Sequence, residues 1–312
     1  MLEAVRRPAR GVSLRESVRE SARTFRVAVW LGWQIESSWA DPFVFFSFTI
    51  LRPLATALML LVMYQIVAQG QSGGFFSYLY LSNAFFVLVI QAMAGVVWTI
   101  FDDRENYRML KYIYTSPARK FPYLIGRAMG KVAIAMLTIL VLLTVGIVFL
   151  GLHLNAAQIE WGWLIVYFLL GMVVLISLGI ILAGVGLVVA RHGGSIGEVV
   201  AGMLLLFSGA YFPPDILPPV LKQVTLALPI TYWLEAMRRT LNGGIITATY
   251  PDGHGAFITG PVSPLLAQFD NWQLLLILLL SAVGSAVASF FFYRWIEFQA
   301  KERGMIDRLT GY

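Results

Sequence analysis

Six stretches of this 312-residue chain are too apolar and too poor in charge to face water. They run over about 43–68, 79–101, 130–150, 161–190, 196–212 and 272–295. A helix needs about 20 mostly apolar residues to cross a bilayer, so each run reads as a crossing. The fourth is long enough to tilt, and the fifth needs its flanks to reach across. None alternates apolar and polar residues as the strand of a membrane barrel would. Only 13% of the residues are charged and the mean hydropathy is +0.74, where soluble domains carry roughly 25% charge. The predicted fold is an all-α membrane protein of six transmembrane helices. The predicted division is a segment 1–42, a membrane domain 43–295 and a tail 296–312.

The basic residues give the expected orientation, because Lys and Arg concentrate in cytoplasmic segments. Of 23 Lys and Arg, nineteen fall before the first run, between the second and third, after the fourth or at the C-terminal end. Only Lys222, Arg238 and Arg239 belong to the other side, and Arg52 lies inside the first run. Both termini are therefore expected in the cytoplasm. This bias accounts for the net charge of +6 as membrane topology rather than nucleic-acid binding. Trp98, Trp161, Trp163, Trp272 and Trp295 fall near span ends, where an interfacial aromatic belt belongs. The first apolar run starts too late and is too long for a signal peptide.

Ahead of the first span, Ser13 and Glu16 form a capping-box pattern. Leu14, Val18, Ala22, Phe25 and Val29 then recur at helical spacing beside Arg15, Arg19, Arg23 and Arg26. This predicts an amphipathic helix on the inner membrane surface; a solvated helix packed on the protein's own base is the alternative.

Little here could perform chemistry. The chain has no cysteine, which excludes thiolate metal sites, disulfides and a cysteine nucleophile. His153, His192 and His254 lie far apart with no ligand-spaced partner. Gly130–Lys131 resembles the end of a P-loop, but Ile125 stands where the first glycine belongs and Val132 where Ser or Thr belongs. Apart from Glu198, the spans hold no Asp, Glu or His, which proton- and ion-coupled carriers usually keep there. Arg52 is the exception: a charge inside a span is costly and marks a functional-site candidate. It holds an anionic substrate group or a gate on one reading. On the other it snorkels, or meets a carbonyl freed by Pro53.

Two short helices are expected after the fifth span. Pro213 and Pro214 stop that span, Pro229 separates 216–228 from 231–241, and both pieces are too short to cross. They are read as re-entrant in the outer leaflet, or as an external helical hairpin. The following 242–271 is rich in Gly and Pro and reads as a loop.

The segment Phe101-Asp-Asp-Arg-Glu-Asn-Tyr-Arg-Met-Leu-Lys-Tyr-Ile-Tyr-Thr-Ser-Pro117, continuing through Phe121-Pro-Tyr-Leu-Ile-Gly-Arg-Ala128, resembles the cytoplasmic loop of type-2 ABC exporter permeases. Ser208-Gly-Ala-Tyr-Phe-Pro-Pro-Asp-Ile-Leu-Pro-Pro-Val220 with Leu228-Pro-Ile-Thr-Tyr-Trp-Leu-Glu-Ala-Met-Arg238 looks like that family's fifth span and outer helices. The resemblance implies a permease subunit in a prokaryotic inner (cytoplasmic) membrane, with no catalytic or metal site of its own. It implies a coupling helix over about 103–116, with Arg104, Glu105, Asn106, Tyr107, Arg108, Leu110 and Lys111 meeting a separate ABC ATPase. ATP and Mg would be bound by that partner. A second permease copy, or a related chain, would complete the pathway. Arg52, Phe207, Tyr211 and Phe212 are the expected pathway or gate residues, with Gly202 and Gly209 allowing close helix approach. Pro213, Pro214, Pro229 and Glu235 mark the outer helices. The expected cargo is amphipathic or hydrophobic: a drug, a lipid or a lipid-linked product, with a polysaccharide as the alternative. An ATP-independent channel or carrier, and a sensor that moves nothing, are the rival classes.

Overall fold

A computed structural model describes residues 14–38, 41–68, 73–116, 119–189, 194–251 and 257–304. Ser13, Pro117, Arg191, His192 and His254 lie outside these, so the capping box and the Ser-Pro break fall there too. Helix α1 spans Leu14–Ser38. Helix α2 (42–68) joins Pro42–Phe46, a π-helical turn Ser47–Leu51, and Arg52–Ala68. Helix α3 (73–106) contains two further π turns, Ile90–Ala94 and Asp102–Asn106. There follow α4 (Leu110–Thr115), α5 (Lys120–Phe149), α6 (Trp161–Val188) and α7 (Ser195–Phe207). The chain closes with α8 (Pro219–Ala227), α9 (Pro229–Asn242), strands β1 (Thr247–Pro251) and β2 (Phe257–Pro261), and α10 (Asn271–Glu302).

Among the described residues, α2, α3, α5, α6 and α10 are long and apolar enough to cross a membrane. The sixth apolar run behaves differently. Helix α7 has 13 residues, about 20 Å at 1.5 Å per residue, against an apolar layer of about 30 Å. Its apolar sequence continues to Phe212, but Gly209 turns left-handed (φ 75°) and Pro213 and Pro214 follow. The helix therefore ends at Phe207.

Helix α3 is the most deeply packed of the long helices. It touches α2, α5, α6, α7 and α9, while α6 packs against α9 and α10. Over 42–59, helix α2 buries almost none of its residues.

Helix α1 climbs beside α5 rather than lying apart from it. The Arg119 side chain meets Ser17, Gly126 faces Ala28, Gly130 faces Gly32, and Lys131 pairs with Glu36. Both partners carry small residues four apart, which lets helix backbones touch. A methyl group on Gly130 would sit 2.6 Å from the Gly32 carbonyl carbon. This contact, not a phosphate cradle, is what the Gly130–Lys131 pair serves. The opposite face of α1 leaves Val18, Val27, Trp30 and Trp33 exposed. The α1 helix thus packs on the protein and still presents an apolar face.

The predicted short helices appear as α8 and α9, each with Pro at its first turn, where the missing N–H costs nothing. Every residue of α9 from Ile230 to Leu241 is buried. The region expected as a loop contains an antiparallel hairpin pairing Thr247 with Pro261 and Pro251 with Phe257. The Thr247 carbonyl oxygen lies 1.8 Å from where a Cβ on Gly74 would be, so only glycine fits that close approach at the start of α3.

Candidate functional site

The ends of the bundle differ in charge. At the basic end, where α1, α4 and the start of α5 meet, Lys131 pairs with Glu36, and Arg127 lies 3.7 Å from Asp103. The Tyr123 hydroxyl donates to Asp103 at 2.7 Å. Beyond this charged layer the helices are apolar. The Thr138 hydroxyl donates to the Thr49 carbonyl at 3.0 Å. Thr138 lies seven residues past Lys131 on α5, and Arg52 lies three past Thr49 on α2. Arg52 therefore stands about 15 Å beyond the charged layer, half the thickness of an apolar layer of about 30 Å.

Arg52 lines a cavity of about 350 Å³ bounded by α2, α3, α7 and the turn after α7. Glu198 borders it toward the basic end, and Asn83 and Tyr211 toward the other. Thr56 and Gln91 add polar groups, and Phe86, Val87, Ile90 and Leu205 supply apolar wall. On α3, Asn83 and Gln91 are eight residues apart, about 12 Å, so the cavity runs along the helices. The Trp98 indole N–H donates to Glu198 at 3.2 Å. No hydrogen bond or ion pair engages the Arg52 guanidinium among the described residues.

Local backbone builds this wall. One π turn ends just before Arg52 and another carries Ile90 and Gln91; such bulges interrupt α-helices frequently at functional sites. The second is clamped by glycines. A Cβ on Gly197 of α7 would meet the Ala94 Cα at 2.7 Å, and one on Gly179 of α6 the Met93 carbonyl at 2.7 Å. These positions, not the expected Gly202 and Gly209, give the close approach. Gly202 faces open space in the cavity wall, and Gly209 serves the turn.

Of the four expected pathway residues, Arg52 and Tyr211 line the cavity, whereas Phe207 and Phe212 do not. The left-handed turn at Gly209 separates them. Its carbonyl accepts from the Tyr78 hydroxyl at 3.1 Å and from Arg238 at 3.2 Å.

Glu235 proves to be the centre of a buried cluster. It pairs with Arg238 at 2.8 Å and Arg239 at 2.9 Å. Arg238 also donates to Ser82 at 2.6 Å and stacks 3.8 Å over the Tyr78 ring. Arg239 reaches the carbonyls of Leu266 and Phe269. The i, i+3 and i, i+4 spacing was visible in sequence. That both arginines turn inward was not, and they do not act as surface charge.

The expected helix over 103–116 is broken in two. Residues 102–106 end α3, Arg108 turns left-handed (φ 52°), and α4 starts at Leu110. Arg104 is buried, donating to the Gly186 carbonyl at 3.2 Å, and pairs with Glu105 at 3.0 Å. Leu110 is also buried. These two side chains face the chain's interior, so the docking surface expected there reduces to Asn106, Tyr107, Arg108 and Lys111, with Tyr112 added. Tyr107 and Tyr112 are 48% and 65% exposed. On its inner side α4 meets α10 where the Tyr114 and Tyr293 hydroxyls touch, and the start of α5 is tied to α10 by Lys120 pairing with Glu297 at 2.9 Å, which also pairs with Lys301 of α10 at 2.6 Å. Burial, with Tyr293 beside it, holds the Tyr114 phenol well above its ordinary pKa, so that hydroxyl keeps its proton.

A comparison with curated proteins gives no match. The family profile described as ABC-2 type transporter matches residues 24–242. This stretch carries α1, the cavity, the broken 102–115 segment and the Glu235 cluster. The chain is thus an integral membrane permease and belongs to the ABC-2 type transporter family.

Proposed function

We propose that this chain is the membrane-spanning half of an ATP-driven exporter that moves an amphipathic substrate out of the cytoplasm or inner leaflet. The observation that carries this reading is the cavity: a partly polar wall at mid-depth between apolar helices, with a guanidinium that has no ion-pair partner among the described residues. The basic end, with both termini, faces the cytoplasm of a prokaryotic cell. Helix α7 makes the sixth crossing with help from its flanks, and α8 and α9 sit re-entrant at the outer surface. The cavity is bordered by the sparsely packed α2, so a second permease copy, or a related chain, would enclose it from that side. An ABC ATPase holding ATP and Mg docks on the surface from Asn106 to Tyr112. Its closure pushes α4, which passes the motion through Tyr114, Tyr293 and Glu297 to α10.

The test is reconstitution in nanodiscs with the ATPase encoded beside this chain. Vanadate-sensitive ATP hydrolysis that depends on the permease, and vesicle transport that depends on ATP, are the expected results. Flux through liposomes holding this chain alone would instead establish a passive channel. Failure to copurify with any ATPase would remove the exporter reading.

A further inference from the structure

We propose that the cavity selects an amphiphile with an anionic head group, a phosphate or carboxylate, and that Arg52 is the residue that binds the anion. This deepens the exporter reading and rests on the same cavity.

A charged side chain at mid-depth is expensive unless something partners it. Several other charges among the described residues stand against an opposite charge. Arg127 lies by Asp103, and Arg238 and Arg239 lie on Glu235. Lys131 lies on Glu36. Arg52 has no such partner among the described residues, although Glu198 lines the same cavity. Glu198 is instead engaged by the Trp98 indole. The cavity therefore holds one guanidinium with no ion-pair partner among the described residues and, toward its basic end, one carboxylate that keeps its charge while accepting from an indole.

The surroundings fit the rest of such a ligand. Thr56, Asn83 and Gln91 offer neutral polar groups in the same cavity, suited to the remaining oxygens of a phosphate or carboxylate head group. Phe86 and Leu205 give apolar wall for a chain. Arg binds phosphate and carboxylate in two parallel hydrogen bonds. A cationic amphiphile would meet repulsion at Arg52, and a neutral one would leave the guanidinium without an opposite charge.

The experiment measures equilibrium binding of radiolabelled dodecyl phosphate to the purified full-length permease in a neutral maltoside detergent. Saturable binding is expected, competed by dodecanoate but not by dodecanol or dodecyltrimethylammonium. Arg52→Gln should weaken it by about tenfold or more, the loss expected for a charge-assisted bidentate contact. Arg52→Lys should fall between the two, since Lys keeps the charge and loses the fork. Glu198→Gln should leave binding unchanged or tighten it. Equal binding by Arg52→Gln, or competition by dodecanol or the ammonium amphiphile at the same concentration, would overturn the proposal. Competition by inorganic phosphate as effective as that by dodecanoate would overturn its amphiphile half and leave a free-anion site. Should Arg52→Gln aggregate on size exclusion, the competition series on the unmodified protein and Arg52→Lys still decide. Binding needs no ATPase. Anion binding without ATP-driven transport would therefore sink the exporter reading and keep the site, whereas ATP-driven transport without anion binding would do the reverse.

Discussion

Glu235 shows how much one residue can hold. Its two oxygens pair with Arg238 and Arg239 at 2.8 and 2.9 Å, and all three side chains are buried. Removing one partner of a buried ion pair leaves an uncompensated charge, at a cost of about 3–5 kcal/mol. Glu235→Ala should destabilise the protein on that order, read as the loss of helicity on heating in detergent. Glu235→Gln keeps the shape and one accepting oxygen and should cost less. Arg238→Met would lose the stack on Tyr78 and the bond to Ser82, loosening the turn at Gly209 that separates Tyr211 from Phe207. The Glu-x-x-Arg-Arg spacing was readable, but position alone counted the arginines as outer-surface charge. Whether a charge at a span end meets water or a carboxylate depends on which side of its helix another helix covers, and a linear count of Lys and Arg carries no such information.

Helix contacts in this protein are set by glycines that admit a neighbour. A methyl group on Gly171 of α6 would stand 2.0 Å from the Trp233 indole nitrogen, whose N–H donates to the Tyr167 carbonyl at 3.1 Å. Gly171→Ala should therefore cost about 1–3 kcal/mol, the usual penalty for overpacking, measured by thermal unfolding in detergent. Gly130→Leu should push α1 off α5, since Gly32 fills the space that the side chain would need. The expected readout is new protease sensitivity in α1 with the remaining helices intact. The apolar and basic faces of α1 were legible as amphipathicity. Its partner was not, because the small residues that receive it lie about a hundred positions away on α5 and look like ordinary glycines of an apolar run. The π turns were equally hidden, since nothing in the local sequence of Ile90–Ala94 departs from a good α-helix former.

Across the whole molecule, the cavity and the proposed docking surface lie at different depths, linked by α3. Its far half lines the cavity at Asn83 and Gln91, and its end carries Asn106. Tyr107→Ala with Tyr112→Ala should reduce copurification of the ATPase by about tenfold or more, as loss of two exposed aromatic anchors would, and leave folding unchanged on size exclusion. Unaltered copurification would move the docking surface elsewhere, with the exposed face of α1 the next place to look. Glu297→Gln should leave assembly intact and lower ATP-driven transport relative to hydrolysis, because it breaks the tie from Lys120 to α10.

Apolar length and the positions of Gly and Pro were enough to make this chain a helical membrane protein. A bilayer offers no water to backbone groups, so twenty apolar residues have almost no other structure available. The same local chemistry marked where α8 and α9 begin and why α7 ends early. Packing in three dimensions decided which of these arginines stand against a carboxylate and which, among the described residues, does not. Arg127, Arg238 and Arg239 find carboxylates brought to them by other turns and helices, while Arg52 faces a cavity whose one acid is held by an indole. Sequence could flag Arg52 as costly, but its lack of a partner is a property of distances between helices, which hydropathy and spacing along a chain do not encode.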